Sequence, residues 1–505
     1  MITDLLSFFL ILLFMVRGIA RPYVALAGVI WVDLYQPQAL SQSFLAGQPL
    51  SLLMTAFFAL SVGLSVTKLY RPASWLYIVI LPMFMGWITL TTYNAEFPLA
   101  AWPKYDTAVK IILFSYFIPY ALGSRRQIEL FLWILVGSMG YFIMTAGAKS
   151  FLSGGGYGLD LVSDTGKVLW AEGSTLATQA IALLPIFFYV GRHSLLGGQY
   201  RFFKVILIGL AFASLMVLVG TEARTGIIAL GVLVMLALAY SQSKLKAIVV
   251  VALLPIAVYP FVTDDWLARM NTMSNTAQES SAQGRVVVWR WTIDYVNERP
   301  LMGGGFNSYL ANAGKLAAYR RSGEVEISQP QGKAFHNILI EVLGEHGYVG
   351  LLMYLVIIGH TLLISRRAYK RASEDWQRRL GLCVFMSTAV YCVGGMFIGV
   401  AFYPWLYYMY GLAVAIQRST GSKSAAESVD DQALRELTAR KEERQVLAAI
   451  GPRAAGFSGG PFRVVVDRSL AGADIRTRLP VGNHESSPER GSPGRGFYGE
   501  DWKDK

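Results

Sequence analysis

Charged residues, cysteines and histidines are scarce in this chain of 505 residues. Charged side chains make up 15% of the sequence and hydrophobic ones 54%, a balance that excludes a soluble globular protein of this size. The two cysteines, Cys383 and Cys392, lie in one apolar segment, which argues against a disulfide framework or a zinc site. The sequence also lacks a His, Cys and carboxylate cluster at metal-ligand spacing, a phosphate-binding Gly-Lys-Ser/Thr loop and a dinucleotide motif. We therefore expect no bound metal and no cofactor.

Long apolar segments dominate the sequence instead. A membrane-spanning helix needs on the order of 20 apolar residues, and the segments predict an all-α, polytopic integral membrane protein with about 12–13 transmembrane helices and one long outer loop. The segments are 5–16, 23–40, 47–66, 75–92, 105–122, 128–146, 174–191, 203–220, 225–240, 247–262, 348–364, 380–400 and 405–416.

Basic residues fall at every second connection between these segments. They occur at 17–21, 68–71, 125–126, 192–204, 244–246 and 366–379. The positive-inside rule places these connections in the cytoplasm, and it places the N-terminus and the alternate connections on the outer face. The net charge of +12 follows from this topology and from contact with anionic lipid. We therefore expect the lipid bilayer as a partner and no nucleic acid.

The predicted segments divide the chain into four regions. N-terminal transmembrane helices occupy 1–263, the long outer loop occupies 264–347, and C-terminal transmembrane helices occupy 348–418. A cytoplasmic tail at 419–505 is charged and helix-prone at first and then rich in Gly, Pro, Ser and Arg, a composition typical of disorder. Because the outer loop is the one large water-facing stretch, chemistry is expected there.

One arginine lies in a very short outer turn between two apolar segments. Arg224 belongs to Gly-Thr-Glu-Ala-Arg-Thr-Gly at 220–226. A charge so near hydrocarbon is costly unless it has a partner, which makes Arg224 a candidate for function. The alternative interpretation is that its side chain extends to the membrane surface or pairs with Glu222.

The long outer loop contains a predicted amphipathic helix, rich in Trp and Tyr, that ends before a Gly- and Pro-containing turn at 299–305. On this helix Arg285 and Trp289 share a face and Arg290 points elsewhere, so Arg285 is the inward candidate. Arginine side chains match phosphate oxygens, and Arg224, Arg285 and Arg290 are candidate ligands for a diphosphate. The alternative is an anchor helix in the membrane interface without chemistry.

His336 stands at the N-terminus of a predicted helix that leads back to the membrane. A helix N-terminus disfavours a cation, so a neutral imidazole there is competent as a base, although a lone loop histidine is more often structural. Possible secondary contributors are Asn337 and Glu341 on the same helix, and Lys104 and Lys110 at the outer end of another span. For the two lysines, topology or lipid contact is the simpler interpretation.

These motifs resemble those of the O-antigen ligase and polymerase superfamily, and more closely those of the O-glycosylation ligases found beside bacterial exosortase systems. The similarity covers residues 23–417 and is most specific at 222–226, at 285–289 with 299–305, and at 336–350. It implies a GT-C-like ligase fold. It also implies a metal-independent glycosyltransferase of the bacterial inner membrane, with the active site facing the periplasm and the tail in the cytoplasm.

The resemblance further implies substrates and roles. The donor is a glycan linked to undecaprenyl diphosphate, and the acceptor is a hydroxyl of a protein or of another exported surface molecule. His336 takes the role of catalytic base, and Arg224 and Arg285 take the role of diphosphate ligands. This chain departs from the family at Ala223, where Ser more often precedes the arginine.

Three other functions remain open at this point. A polymerase that joins polysaccharide repeat units would use the same donor chemistry as a ligase. A transporter or flippase of lipid-linked sugar would place charged groups deep within several spans, whereas here they gather at one outer face. A scaffold for export machinery predicts that single changes at Arg285 or His336 have no effect.

Overall fold

The computed structural model describes residues 2–65, 69–155, 168–271, 280–321 and 332–421. These residues form helices and no strand. Together with the apolar character of the helices, this confirms the prediction of an all-α polytopic membrane protein. The predicted tail lies, from residue 422 onward, outside the described residues.

The helices follow one another along the chain, and the two longest connections are those before α8 and before α15. The α-helices are α1 Ile2–Gly18, α2 Pro22–Tyr35, α3 Pro37–Leu40, α4 Leu50–Gly63, α5 Trp75–Tyr93, α6 Pro98–Ala121, α7 Arg125–Leu152, α8 Gly173–His193, α9 Leu195–Gln199, α10 Arg201–Gly220, α11 Arg224–Tyr240, α12 Lys244–Val258, α13 Asp264–Asn271, α14 Ser280–Asn297, α15 Ile338–Arg371, α16 Asp375–Gly395 and α17 Pro404–Gly421. Short 3-10 helices lie at Tyr259–Phe261, Ser308–Asn312 and Leu316–Tyr319.

Each apolar segment predicted from the sequence overlaps one of these helices. Within the described residues, six helices are long and apolar enough to cross a membrane. They are α5, α7, α8, α10, α15 and Lys244–Phe261, in which a 3-10 turn extends α12. Helices α4 and α11 are apolar but shorter. The hydropathy pattern therefore locates the helices, whereas length and composition alone single out fewer spans than the sequence predicts.

Helix α17 lies in the middle of the core. Its side chains Trp405, Tyr407, Tyr408 and Tyr410 are all fully buried. The helix packs against α6, α15 and α16, so aromatic side chains hold these elements around it. Because α6 and α15 both contact α17, residues that are distant in sequence come together at the ends of these two helices.

Contacts between connections define one end of the bundle, called here the His336 end. The Asp4 carboxylate accepts hydrogen bonds from Ser41 and Ser43 of the connection before α4. The backbone N–H of Leu169, in the connection before α8, donates to Oε1 of Gln36 at 2.9 Å. These connections are the ones that the charge pattern assigns to the outer face.

The opposite end gathers the basic connections. Arg125 donates from Nη2 to the carbonyl of His193 at 2.7 Å, which joins the start of α7 to the end of α8. Arg418, near the end of α17, donates to the carbonyl of Leu122 at 2.8 Å. The two sets of contacts agree with the predicted alternation of the connections between the two ends.

The turn after α14 fits against a break in α15. Gly347 has φ 66° inside α15, a left-handed conformation that favours glycine. A Cβ atom at this position would lie 2.2 Å from the carbonyl oxygen of Leu301. The backbone N–H of Gly305 donates to the carbonyl of Glu345 at 2.8 Å. Glycine therefore allows the turn and the first part of α15 to meet backbone to backbone.

Candidate functional site

The candidate site lies at the His336 end, where several helices begin. Helix α8 begins after Glu172, α11 begins at Arg224, and α15 begins at Ile338. Helix α14 runs past them with its apolar face turned towards protein, because Val287 and Val288 are fully buried in a small cluster with Phe335 and Leu343. The helix predicted to anchor in the membrane interface therefore packs against α15.

His336 is held by its two neighbours in the chain. Asn337 caps α15, because its Oδ1 accepts from the backbone N–H of Leu339 at 2.8 Å and of Ile340 at 3.2 Å. On the other side, the indole N–H of Trp289 donates to the carbonyl of Phe335 at 2.8 Å. His336 itself has φ 48° and is half-buried. Asn337 thus has a structural role in the helix cap.

The surroundings of His336 favour the neutral imidazole. Burial lowers its pKa, and the positive charges of Arg285 and Lys333 lower it further, while Glu172 and Glu341 oppose them. The sequence prediction attributed a neutral His336 to the helix N-terminus. The main causes in the structure are burial and the guanidinium of Arg285.

Arg285 is a positive charge that acts on both His336 and Lys333. Burial lowers the pKa of its guanidinium and Glu172 opposes the shift, so the arginine and the carboxylate act on each other. Burial lowers the pKa of Lys333, and the charge of Arg285 lowers it further. An arginine and a lysine beside a neutral histidine form an electropositive surface suited to phosphate oxygens.

The structure places Arg290 on another side of α14. Its Nη1 donates to the carbonyl of Tyr319 at 3.4 Å. The charged groups that act on His336 are Arg285, Glu172, Lys333 and Glu341. Of the two arginines on α14, Arg285 is therefore the one that joins the site.

Arg224 reaches the same region through the packing of α11 on α8. The turn before it has Glu222 in the left-handed region at φ 49°. A Cβ atom on Gly173 would lie 3.2 Å from Cβ of Thr221, so this turn sits on the start of α8, next to Glu172. Arg224 is half-buried as the first residue of α11. The structure thus couples Arg285 to His336 electrostatically and places Arg224 on the adjoining helix start.

Lys104 is committed to two carboxylates. Its Nζ lies 2.7 Å from Oε1 of Glu341 and 2.7 Å from Oε1 of Glu345. The other oxygen of Glu341 accepts from the backbone N–H of Ala401 at 3.1 Å, and Oε1 of Glu345 also accepts from the N–H of Asn307 at 2.9 Å. The expectation that Lys104 serves topology or lipid contact does not account for this buried network.

Lys110 makes a simpler contact. Its Nζ lies 2.6 Å from Oδ2 of Asp106, one turn earlier on α6, and both side chains are largely open to the surface. This is an ordinary i,i+4 pair on a helix. Lys110 therefore contributes no free positive charge next to His336.

Sequence reasoning missed four members of the site. Glu172 is a charged residue at the outer end of a predicted span, which is a usable signal. Lys333 lies three residues before His336. Glu345 and Asn307 have no signal of their own, because their role depends on contact with Lys104 and α15.

In the part of the chain that the structure describes, no group of three or more His, Cys, Asp or Glu side chains is arranged to hold a metal ion. The two buried carboxylates of α15, Glu341 and Glu345, are instead bound by the ammonium group of Lys104.

Two family models match the chain. Residues 209–355 match the family described as O-antigen ligase. This match supports membership of the O-antigen ligase superfamily. Residues 2–195 match a family of unknown function, DUF5935. No curated protein matches the chain.

The ligase match contains Arg224, Arg285, His336 and Glu341, and this superfamily indicates a glycosyltransferase-like membrane enzyme acting on lipid-linked glycan. Lys104 and Glu172 lie in the other match. The narrower similarity to exosortase-associated ligases remains a resemblance of the sequence. The candidate site is therefore assembled from both matched regions.

Proposed function

We propose that the protein transfers a glycan from undecaprenyl diphosphate to a hydroxyl of a protein or of another exported surface molecule. The observation that carries this proposal is that His336 lies against the face of α14 that carries Arg285, because Trp289, one turn after Arg285, donates to the carbonyl of Phe335 at 2.8 Å. Burial and then Arg285 lower the pKa of His336, so the same guanidinium that can bind phosphate also disfavours protonation of the base. The O-antigen ligase match over these residues supports the choice of donor class.

The proposed reaction is a displacement at the anomeric carbon of the donor sugar. The acceptor hydroxyl oxygen forms a bond to that carbon while the bond to the diphosphate oxygen breaks. His336 takes the hydroxyl proton, and undecaprenyl diphosphate leaves with its negative charge. Arg285 and Arg224 bind the diphosphate oxygens and stabilise the charge that develops on them. In this scheme no metal ion is required.

The proposal uses two of the three candidate arginines. Arg290 is left out because its guanidinium lies against the carbonyl of Tyr319. Lys333 is added as a further cation beside the phosphate-binding surface, since Arg285 lowers its pKa and both groups act on His336.

The site is proposed to face the periplasm of a bacterial inner membrane. The charge pattern supports this orientation, because Arg125 and Arg418 lie at the end opposite His336. A fluorescent protein fused after residue 421 should fluoresce, because the fluorescent protein folds in the cytoplasm but not in the periplasm after Sec export. If this fusion is dark and alkaline phosphatase fused at the same position is active, residue 421 lies in the periplasm and the proposed orientation is wrong.

The test of the reaction is transfer by purified protein. The assay combines undecaprenyl-diphosphate glycan extracted from the host, a candidate acceptor and a buffer without ATP or added metal. We expect wild type to label the acceptor and release undecaprenyl diphosphate. His336→Ala should lower the rate by about 10²–10⁴-fold, as expected for loss of a general base. Arg285→Ala should lower it by about 10²–10³-fold.

The matched control is Arg290→Ala, which removes the same side chain from the same helix outside the charge group. It should keep at least roughly half of the wild-type rate, because it removes no group that touches the reacting atoms. Equal losses at Arg285 and Arg290 would reject the assigned site. Product length separates the related functions, since a ligase makes one transfer per acceptor and a polymerase makes a ladder. Movement of lipid without transfer would support a transporter.

A further inference from the structure

A cavity of about 450 Å³ opens beside the candidate site. Its walls come from α6, the connections before α8 and α15, the start of α15, and the turn before α17. The lining includes Gln36, Lys104, Thr107, Asn307, Glu341 and Tyr403. This volume falls in the range of small-molecule binding sites, which is about 300–1,000 Å³.

The charge of this cavity differs from that of the diphosphate surface. The positive charge of Lys104 is neutralised by its ion pairs with Glu341 and Glu345, so the network carries no net positive charge. Arg285 and Lys333, in contrast, are cations with one opposing carboxylate, Glu172. A diphosphate is therefore favoured at the basic surface over the cavity.

The lining of the cavity suits a neutral ligand with several hydroxyl groups. Carboxylate oxygens at Glu341 accept hydrogen bonds, and the side chains of Thr107 and Tyr403 carry hydroxyls that donate and accept. The ring of Tyr403 is half-buried and stands edge-on to Trp170, with centroids 5.8 Å apart. Such a mixture of an aromatic wall with a few polar groups fixes the orientation of a bound ligand.

Size separates a sugar from a single amino-acid hydroxyl. A serine or threonine side chain is much smaller than a sugar ring and fills little of a cavity of this size. A sugar ring with its substituents fills far more of it and offers hydroxyls on all sides.

The cavity and the base share a wall. Glu341 lines the cavity and lies in the first turn of α15, where its backbone N–H donates to the carbonyl of Asn337, the residue after His336, at 2.8 Å. The cavity therefore reaches the helix start that carries the base, whereas Arg285 belongs to α14. A transfer between two substrates requires two binding regions next to one base.

We infer that this cavity binds the terminal sugar of a neutral glycan acceptor. The inference rests on the proposed transferase function and narrows its acceptor. It also assigns a role to the region of unknown function, because Gln36, Lys104 and Thr107 lie within residues 2–195. That region forms the acceptor-facing wall, and the ligase match supplies Asn307 and Glu341.

A thiol placed in the cavity tests binding without turnover. Thr107 is exposed and lines the cavity, so Thr107→Cys should react with a water-soluble maleimide. The two native cysteines are buried or half-buried. The neutral glycan released from the host's surface polysaccharide by mild acid should slow labelling at least about fivefold when it occupies the cavity. Inorganic pyrophosphate should not slow it. Leu99→Cys, on the same helix with 95% exposure, is the control that neither compound protects.

The kinetic test fills the cavity. Thr107→Trp should raise the acceptor KM by about 10-fold or more, a change equivalent to about 1.4 kcal/mol, while the donor KM changes less than twofold. Leu99→Trp should change neither. Protection of Thr107→Cys by pyrophosphate, or a donor KM that rises with the acceptor KM, would assign the cavity to the donor and overturn the inference. Protection by a serine-containing peptide but not by the glycan would also overturn it, in favour of a protein acceptor.

The two levels of the proposal fail in different ways. Transfer by wild type without glycan protection at Thr107→Cys rejects the cavity assignment and leaves the transferase function standing. Glycan protection without any transfer supports a glycan-binding cavity and rejects the transferase function as proposed.

Discussion

Replacing Lys104 with methionine removes the one cation shared by two buried carboxylates. Methionine has similar length and no charge, so the change keeps packing against the rings of Phe306 and Phe402, which lie 5.5 and 5.6 Å from Nζ. Glu341 and Glu345 are 4% and 0% exposed. After the substitution both face each other without their common partner, and each retains one backbone N–H donor.

The magnitude follows from the burial. Breaking a buried ion pair by removing one partner costs about 3–5 kcal/mol. Because the Lys104 side chain is 26% exposed, we expect the lower end, about 3 kcal/mol. In detergent this should lower the apparent Tm by on the order of 5 °C. The measurement is thermal unfolding of the purified protein, with the folded fraction that remains after heating determined by size-exclusion chromatography.

Lys110→Met is the matched control on the same helix. Lys110 pairs with Asp106, and the two side chains are 32% and 62% exposed, so its loss should cost no more than about 0.5 kcal/mol. The double substitution Lys104→Met with Glu345→Gln should recover part of the stability, because an amide oxygen still accepts from Asn307 and one negative charge is gone. Equal melting temperatures for Lys104→Met and Lys110→Met would refute the buried network.

Three further predictions concern the base. In a pH–rate profile, activity should fall as the pH drops through the pKa of His336, which lies below the ordinary histidine value. This acid limb of the profile should move to higher pH in Arg285→Gln and to lower pH in Glu172→Gln. Unchanged acid limbs in both variants would contradict the electrostatic assignment. Asn337→Ala should lower the free energy of unfolding by about 1 kcal/mol because it removes the cap of α15, whereas Asn337→Asp should keep the cap. Equal unfolding temperatures for these two variants would count against the cap. Trp289→Phe should lose one hydrogen bond worth about 1 kcal/mol and reduce kcat more than it changes the donor KM, because the chain before the base is held less firmly; an unaltered kcat would show that this bond does not position the base.

The helices and much of the basic half of the site could be predicted from the sequence. Apolar segments locate helices because a buried or lipid-facing helix must be apolar along its length. The separation of Arg285 from Arg290 follows from helix geometry, since five residues rotate a side chain by about 140° around the axis. Asn337 likewise precedes a helix, where its side chain can accept from backbone N–H groups.

The acidic half could not be predicted in the same way. Lys104 and Glu341 are separated by 237 positions, and their contact exists because α6 and α15 both pack against α17. Local pattern assigns a lysine at the end of an apolar segment to the membrane surface. Tertiary packing instead places the ammonium group of Lys104 between two buried carboxylates. One of them, Glu345, lies on a stretch of α15 whose sequence is that of an ordinary helix.

Several residues at this end of the bundle have a left-handed backbone conformation that the amino-acid composition does not predict. Among the described residues, the non-glycine residues with positive φ are Gln36, Glu222, Asn307 and His336. Left-handed backbone costs such residues about 1–3 kcal/mol each and persists only where the surroundings hold it. Gln36 and Asn307 line the cavity, Glu222 lies in the turn before α11, and His336 is the proposed base. Glycine would adopt these conformations without strain, but Gln36 and Asn307 use side chains that glycine lacks: Gln36 Oε1 accepts from the backbone N–H of Leu169 at 2.9 Å, and Asn307 Nδ2 donates to the carbonyl of Ala100 at 2.8 Å. A site whose reacting groups must be fixed before substrate arrives is where such a balance is expected.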